Sequence, residues 1–250
     1  MIKVILSGCN GKMGKVITKT IFDEETVEIV AGFDINTENS GGFDVFAEPS
    51  DFKGQGDVII DFSHPSMFEK VLSYAVETKT PVVFATTGLS DEQKQKMLNA
   101  SKDVAIFFSA NMSLGVNLLM DLVSRAAKVL ENNFDIEIIE KHHNKKIDAP
   151  SGTALAIADT INEALENKKS YIYDRHSVRK QRSKNELGIH ALRGGTIVGE
   201  HEVIFAGTDE IIEIKHTAMS KEIFAVGAVS AAKFMAGKTK GMYSMKDMVE

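Results

Sequence analysis

A single cysteine, Cys9, occurs among 250 residues, which excludes an internal disulfide framework and any metal site built only from cysteines of one chain. So little cysteine fits a reducing compartment. Prolines number four, and no uninterrupted apolar run approaches the roughly 18 residues of a membrane span. An excess of positive charge is also missing: 29 Lys and Arg against 35 Asp and Glu leave a net charge of -6. General nucleic-acid binders neutralise phosphates with basic surfaces, so that class is disfavoured. The first residues, Met1 to Gly8, run straight into a strand-like segment and lack the apolar core and cleavage site of a secretion signal. Cytoplasmic residence is the expectation.

What is present is a chain long enough for two modest domains. Its densest run of chemically capable side chains is Glu140-Lys-His-His-Asn-Lys-Lys-Ile-Asp-Ala-Pro-Ser-Gly-Thr153. Phe134, Ile136 and Ile138 alternate with polar residues before it, as in a half-buried strand, and an Ala- and Leu-rich helical run from Ala154 to Leu165 follows. Pro150 disfavours helix at Ala149 and Ser151 is a good N-cap, so the spacing predicts a helix from about Gly152. The N–H groups of Gly152 and Thr153 then lack intrahelical partners, and with the Ser151 and Thr153 hydroxyls they resemble a carboxylate cradle. Lys145 and Lys146 add positive charge, and His142 and His143 exchange protons near neutral pH. The competing reading is an ordinary helix cap beside a solvated lysine pair. Metal binding by the two histidines is not expected, since neighbours on an extended chain point to opposite sides.

The amino-terminal third carries a second signal. Ile2-Lys-Val-Ile-Leu6 reads as a strand, Ser7-Gly8-Cys9-Asn10-Gly11-Lys12-Met13-Gly14 as a glycine loop, and Lys15 to Phe22 as a helix. That order lets a loop approach a pyrophosphate at a helix N-terminus. The spacing is G-x-x-G-x-x-G rather than G-x-G-x-x-G, and Met13 stands where a P-loop needs Ser or Thr. Val27 to Phe33 reads as the next strand, ending at Asp34, 20 positions after Gly14, where an acid accepts from an adenine-ribose hydroxyl. Together these predict a nicotinamide dinucleotide site, NADH or NADPH. Asp34 followed by Ile35 leans towards NADH, while Lys12 can partly offset the repulsion of a 2′-phosphate.

Further strands are expected at residues 57–62, 81–84 and 104–108, alternating with helices at 67–77 and 90–100, which implies a parallel sheet. Residues 36–56 read as irregular connection. A long helix over 113–131 carries Leu118, Leu119, Leu122, Val123, Ala126 and Leu130 on one face, and the crossing into a second domain falls near Asn111 to Val116. Residues 167–185 are basic and read as a solvated excursion. Strands at 134–141, 188–192, 196–205 and 210–216 predict a mixed four-stranded sheet. Ile197, Val203, Phe205, Ile212 and Ile214 were available for an open face covered by other copies of the chain. A last helix is expected over 221–236. His190 and His201 read as sheet residues.

His142-His143-x-x-Lys146-x-Asp148-Ala-Pro-Ser-Gly-Thr-Ala154 resembles the signature of the 4-hydroxy-tetrahydrodipicolinate reductase (dihydrodipicolinate reductase) family. The likeness extends to Gly8-Cys-Asn-Gly-Lys-Met-Gly14, to Ala85-Thr86-Thr87-Gly88, where Ala85 replaces the usual glycine, to Ser109-Ala110-Asn111-Met112, and to Gly188 through His201. Asn144-Lys145 stands where many members carry Arg-His. The resemblance implies an α/β protein with a Rossmann-type domain over 1–112 and 221–250 and an α+β substrate and oligomerisation domain over 113–220. With cofactor and substrate on different domains, hydride transfer then requires closure, expected about hinges near Asn111 to Val116 and Thr217 to Lys221. The resemblance implies reduction of 4-hydroxy-tetrahydrodipicolinate by NAD(P)H with loss of water, in lysine and diaminopimelate biosynthesis, by a homotetramer. His142 and Lys146 are then the acid/base pair. His143, Ser151, Gly152 and Thr153 hold the substrate, and Gly8 to Met13, Asp34, Ala85 to Thr87 and Ser109 to Met112 hold the cofactor. A semialdehyde dehydrogenase is discounted because Cys9 lies inside the phosphate loop. A nucleotide sensor without turnover is the reading from a different class.

Overall fold

The computed structural model describes residues 1–39 and 41–249, so the expected segments 36–56 and 221–250 fall outside it only at positions 40 and 250. The chain opens with β1 (Ile2–Ser7), α1 (Lys12–Phe22), β2 (Val27–Phe33), a short β3 (Val45–Phe46) and β4 (Val58–Asp61). Then come α2 (Phe68–Thr78), β5 (Val82–Phe84), α3 (Asp91–Ala100), β6 (Ala105–Phe108) and the long α4 (Leu114–Leu130). Next are β7 (Asp135–His142), α5 (Gly152–Ala164), β8 (Ser170–Ile172), β9 (Glu186–Arg193), β10 (Gly199–Ala206) and β11 (Ile211–Ala218). α6 (Glu222–Met235), β12 (Gly241–Tyr243) and α7 (Lys246–Val249) follow. Two compact units result, one of Met1–Leu114 with the chain from Glu222 onward, the other of Gly115–Lys221.

The first unit is a parallel sheet in the order β12-β6-β5-β4-β1-β2-β3. A parallel sheet is buried on both faces, which is why its strands are continuous apolar runs. Val4 and Leu6 of β1 pack with Ile17 of α1 and Ala228 of α6, while Ile5 packs on the other side with Phe68 and Val71 of α2 and Met97 of α3. Small residues let α6 approach closely: a Cβ on Gly227 would collide with the Met112 carbonyl oxygen. Ser90 caps α3 through a full capping box with Gln93, as the spacing predicts. α1 begins at Lys12, three residues before the expected Lys15, with Gly11 as its N-cap. The end of the glycine loop is already helical because Gly14 has no Cβ to strike the carbonyls of Gly8 and Cys9.

The second unit is built on a mixed sheet of five strands, not four, in the order β11-β10-β7-β9-β8. The fifth, β8, lies inside the basic 167–185 segment and is too short to carry a period of its own. Most of that segment is exposed, as expected of a solvated excursion, but it has partners. Arg175 pairs with Glu137 and Glu186, and Arg182 with Asp135 and Glu137, so its charge is spent on neighbouring acids.

Ile136, Ile138, Leu187, Ile189, Val203 and Phe205 face the helices, packing with Leu119 and Val123 of α4 and Ile157 and Ile161 of α5. Val203 and Phe205 are therefore core residues rather than an open face, because two helices cover that side. The reverse side presents Ile139, Leu192, Ile204 and Ile211, one from each of four strands, among charged residues such as Lys141, Glu200 and Lys215. On α4 the buried stripe is Val116, Leu119, Val123 and Ala127, and Leu118 and Leu122 turn outward. Leucines on both sides of the helix made either stripe compatible with the 3.6-residue period.

Candidate active site

In the first unit, β1 and β4 are neighbours whose connections leave in opposite directions, the switch point outside which ligands of such sheets bind. The glycine loop leaves β1 there. Gly8 has φ +77, a left-handed conformation, and a Cβ on it would stand 2.7 Å from the Phe62 carbonyl oxygen. At the end of β2, the Asp34 carboxylate accepts from the backbone N–H of Asn10 at 2.9 Å and of Asn36 at 3.0 Å, so the acid is fixed beside the loop. Asn10 ties the following segment down by donating from Nδ2 to the carbonyls of Asn36 and Glu38. This bare backbone with a pinned acid fits a dinucleotide.

Three of the expected cofactor residues turn their side chains inward. Cys9 is buried, and burial, then Asp34, pushes its thiol up to about 11. Met112 lies in the core of the unit. Thr86 donates its hydroxyl to Asp61, a fully buried acid at the end of β4 whose carboxyl burial pushes up, and also to the Ser63 carbonyl. These three can offer a ligand only their backbone. Lys12, Met13, Thr87 and Ala110 reach the surface at least in part, Ala85 is buried, and Ser109 spans its own turn by donating to the Asn111 carbonyl. A cavity of about 1000 Å³ in this unit lies at the opposite, amino-terminal end of the strands, lined by Lys53, Asp57, Thr80, Asp103 and Lys238.

In the second unit the expected residues form a tight cluster. Glu140 and His142 lie two apart on β7 and so share its helix-facing side; both are buried. The Glu140 carboxylate holds His142 Nδ1 at 2.6 Å, accepts from both Nη1 and Nη2 of the Arg193 guanidinium at 2.7 Å each, and accepts from the Ser151 N–H at 2.9 Å. Burial would raise the Glu140 carboxyl, but the bonds from Arg193, His142 and Ser151 outweigh it and hold it below the usual range. Ser151 caps α5 by accepting from Ala154 N–H, and its Oγ lies 3.1 Å from His201 Nε2. The His142 and His201 rings meet edge to face, 5.2 Å apart. Burial, then the charge of His142, pushes His201 down to about 4, so it is neutral at pH 7.

Lys146 is half-buried and pairs with Asp148 at 2.9 Å; the Lys146 ammonium, first, and the Gly152 N–H both hold the Asp148 carboxyl low. The N–H that the sequence left open at the head of α5 thus already meets an acid. His143 is half-buried and its carbonyl accepts from Lys146 N–H, while Lys145 is exposed. Thr153 sits in the first turn of α5. Arg193 and Gly199 were not singled out from the sequence, and His201 was read there only as a sheet residue. Only the i, i+2 spacing of Glu140 and His142 was a local signal; the others enter through strand pairing, His142 opposite Arg193 and Glu140 opposite His201.

A parallel sheet of this order, with a glycine turn after its central strand and an acid ending the next, defines the Rossmann-type dinucleotide-binding class, here joined to a second unit on a mixed sheet. Residues 2–112 match the family model for the dihydrodipicolinate reductase N-terminus and residues 115–249 that for its C-terminus. The chain belongs to the dihydrodipicolinate reductase family. It is 54% identical to the 4-hydroxy-tetrahydrodipicolinate reductase of Caldanaerobacter subterraneus subsp. tengcongensis, covering 100% of this chain and 99% of that one. Identity to the enzyme of the same name from Clostridium novyi is 49%, over the same shares. A solved dihydrodipicolinate reductase from a Paenisporosarcina species, with dipicolinate bound, superposes with a TM-score of 0.82 at 25% identity, covering 99% of each chain.

Proposed function

We propose that this chain reduces 4-hydroxy-tetrahydrodipicolinate to tetrahydrodipicolinate with NAD(P)H and loss of water, the step of lysine and diaminopimelate biosynthesis for which its relatives are named. The observation that carries this is the cluster at the head of α5, where a histidine, a lysine and a helix N-terminus converge, in a chain that belongs to that family. The bound nicotinamide supplies the hydride. Gly8 to Met13 and Asp34, with Ala85 to Thr87 and Ser109 to Met112, hold that cofactor.

Ser151, Gly152 and Thr153 take a substrate carboxylate at the positive end of α5, with His143 beside them. Lys146 pairs with the same carboxylate. Its present partner Asp148 is 56% exposed, and exposed ion pairs are worth about 0–1 kcal/mol, so a dicarboxylate can displace it. His142 gives its proton from Nε2 while Glu140 holds Nδ1. We infer a modest lean to NADH, assembly into a homotetramer through the reverse side of the second unit's sheet, and residence in the cytoplasm. No helix of the described residues is long and apolar enough to cross a membrane.

The test follows NADH oxidation with substrate generated by condensing pyruvate and aspartate semialdehyde. Turnover that depends on that substrate is expected. Cofactor binding without oxidation would favour the sensor reading instead.

A further inference from the structure

Glu140 is fully buried, and a carboxylate offers about four acceptor sites. All are taken: Oε1 by Arg193 Nη2 and Ser151 N–H, Oε2 by Arg193 Nη1 and His142 Nδ1. Three of these partners are donors in every protonation state. A carboxylate bonded by a two-pronged guanidinium stays ionised and can only accept, so the fourth contact, at 2.6 Å, requires a proton on His142 Nδ1. Neutral His142 is then the Nδ1–H tautomer, and its exchangeable position is Nε2.

The surroundings of Nε2 agree. A Cβ at Gly199 would stand 3.1 Å from it, so the glycine keeps space beside that nitrogen. The ring is held on its other sides by His201, edge to face, and by the strand, whose His142 carbonyl accepts from Gly194 N–H at 2.9 Å. Arg193 reaches further. Its Nη2 also donates to the Asp148 carbonyl at 2.6 Å, and the Asp148 carboxylate holds Lys146 Nζ at 2.9 Å. One ion pair therefore touches His142 directly, the head of α5 through Ser151, and the Lys146 loop through Asp148.

We propose that Glu140 and Arg193 are the positioning pair of this site: clamped by Arg193, Glu140 fixes His142 with its proton on Nδ1 and Nε2 presented for proton exchange, while Arg193 sets the loop that carries Lys146. The inference rests on the reading of His142 as the proton donor given above. Charged and titratable groups facing His142 are Glu140 on its own strand, Arg193 on β9, His201 on β10 and, through His201, Lys146 and His216.

The experiment records the histidine tautomer of the full chain by two-bond proton–nitrogen correlation, with the His142 signals assigned from His142→Gln, alongside steady-state kinetics. Wild type should show His142 as Nδ1–H when neutral. In Glu140→Gln, Arg193 claims the amide oxygen and the NH₂ faces Nδ1, so the ring should turn to Nε2–H and kcat should fall about 100-fold or more, with KM for NADH changed less than twofold. Should Glu140→Gln not fold, judged by circular dichroism, Arg193→Lys decides: it keeps the charge, loses the fork, and should lower kcat about tenfold. Nε2–H in the wild type, or kcat within threefold of wild type in the folded variant, overturns the proposal. A wild type that binds NADH but does not turn over substrate sinks the proposed function, and the tautomer spectra still decide this pair.

Discussion

His201 Nε2 on β10 lies 3.1 Å from Oγ of Ser151, the hydroxyl that also caps α5, so one serine joins the helix head to a buried histidine of the sheet. Because His201 is 5% exposed and pushed down to about 4 from its ordinary 6.5, the unfolded chain binds a proton there that the folded chain does not between those values. Its contribution to stability is complete above pH 6.5 and is lost as pH falls towards 4, worth roughly 3 kcal/mol. Urea midpoints measured from pH 7 to 4 should fall steeply in the wild type and less steeply in His201→Asn. A residual slope should remain, since burial also lowers His216, and Glu140, held low, begins to contribute its own loss only below its ordinary 4.5. Parallel slopes in the two proteins would show that His201 titrates normally.

His142→Gln should lower kcat by about 100-fold or more with little change in NADH affinity, because proton donation belongs to the chemical step. Lys146→Ala should raise the substrate KM and lower kcat together, since the lysine pairs with a carboxylate. Isothermal titration with NADH and steady-state kinetics check both, and equal losses in cofactor affinity would refute the assignment.

Asp148 holds Lys146 and the Gly152 N–H, the groups proposed to take a substrate carboxylate, so the two would compete. Asp148→Ala should therefore bind pyridine-2,6-dicarboxylate about two- to fivefold more tightly, in keeping with the small worth of an exposed pair. Weaker binding in the variant would mean that Asp148 orients Lys146 rather than blocks it.

On the proposed reading, cofactor choice turns on Asp34 and Lys12. The acid is pinned by two backbone N–H bonds and cannot swing away from a 2′-phosphate, while Lys12, exposed in the first turn of α1, can meet it. Both groups are screened, so a preference for NADH of about tenfold or less is expected, and Lys12→Ala should weaken NADPH more than NADH. Strong NADPH selectivity in the wild type would place the phosphate's partner elsewhere.

On the reverse side of the second unit's sheet, Leu192 is 48% and Ile211 63% exposed, beside Ile139 and Ile204. Ile204→Lys should shift a tetramer to smaller species in sedimentation velocity with its circular dichroism unchanged. A wild type that sediments as a monomer at micromolar concentration would remove the assembly reading.

The sequence determined whatever depends on neighbours along the chain. The glycine loop with Asp34 behind it, the Ser90 capping box, the helix beginning at Gly152 behind Pro150 and Ser151, and the alternating strands of the first unit are all local patterns, and each appears where the spacing put it within a few residues. Tertiary structure decided what depends on register and on which side is covered. Val203 and Phe205 alternate equally well for either face of a sheet, and only the presence of both α4 and α5 made theirs the core. Leu118 could not be told from Leu119 while the helix had apolar residues on two sides. Three-residue β8 is a strand only because β9 lies beside it. Arg193, His201 and Gly199 reach His142 through the pairing of β7 with β9 and β10, between residues 51 to 59 positions apart in the chain, a distance over which no period or spacing rule acts.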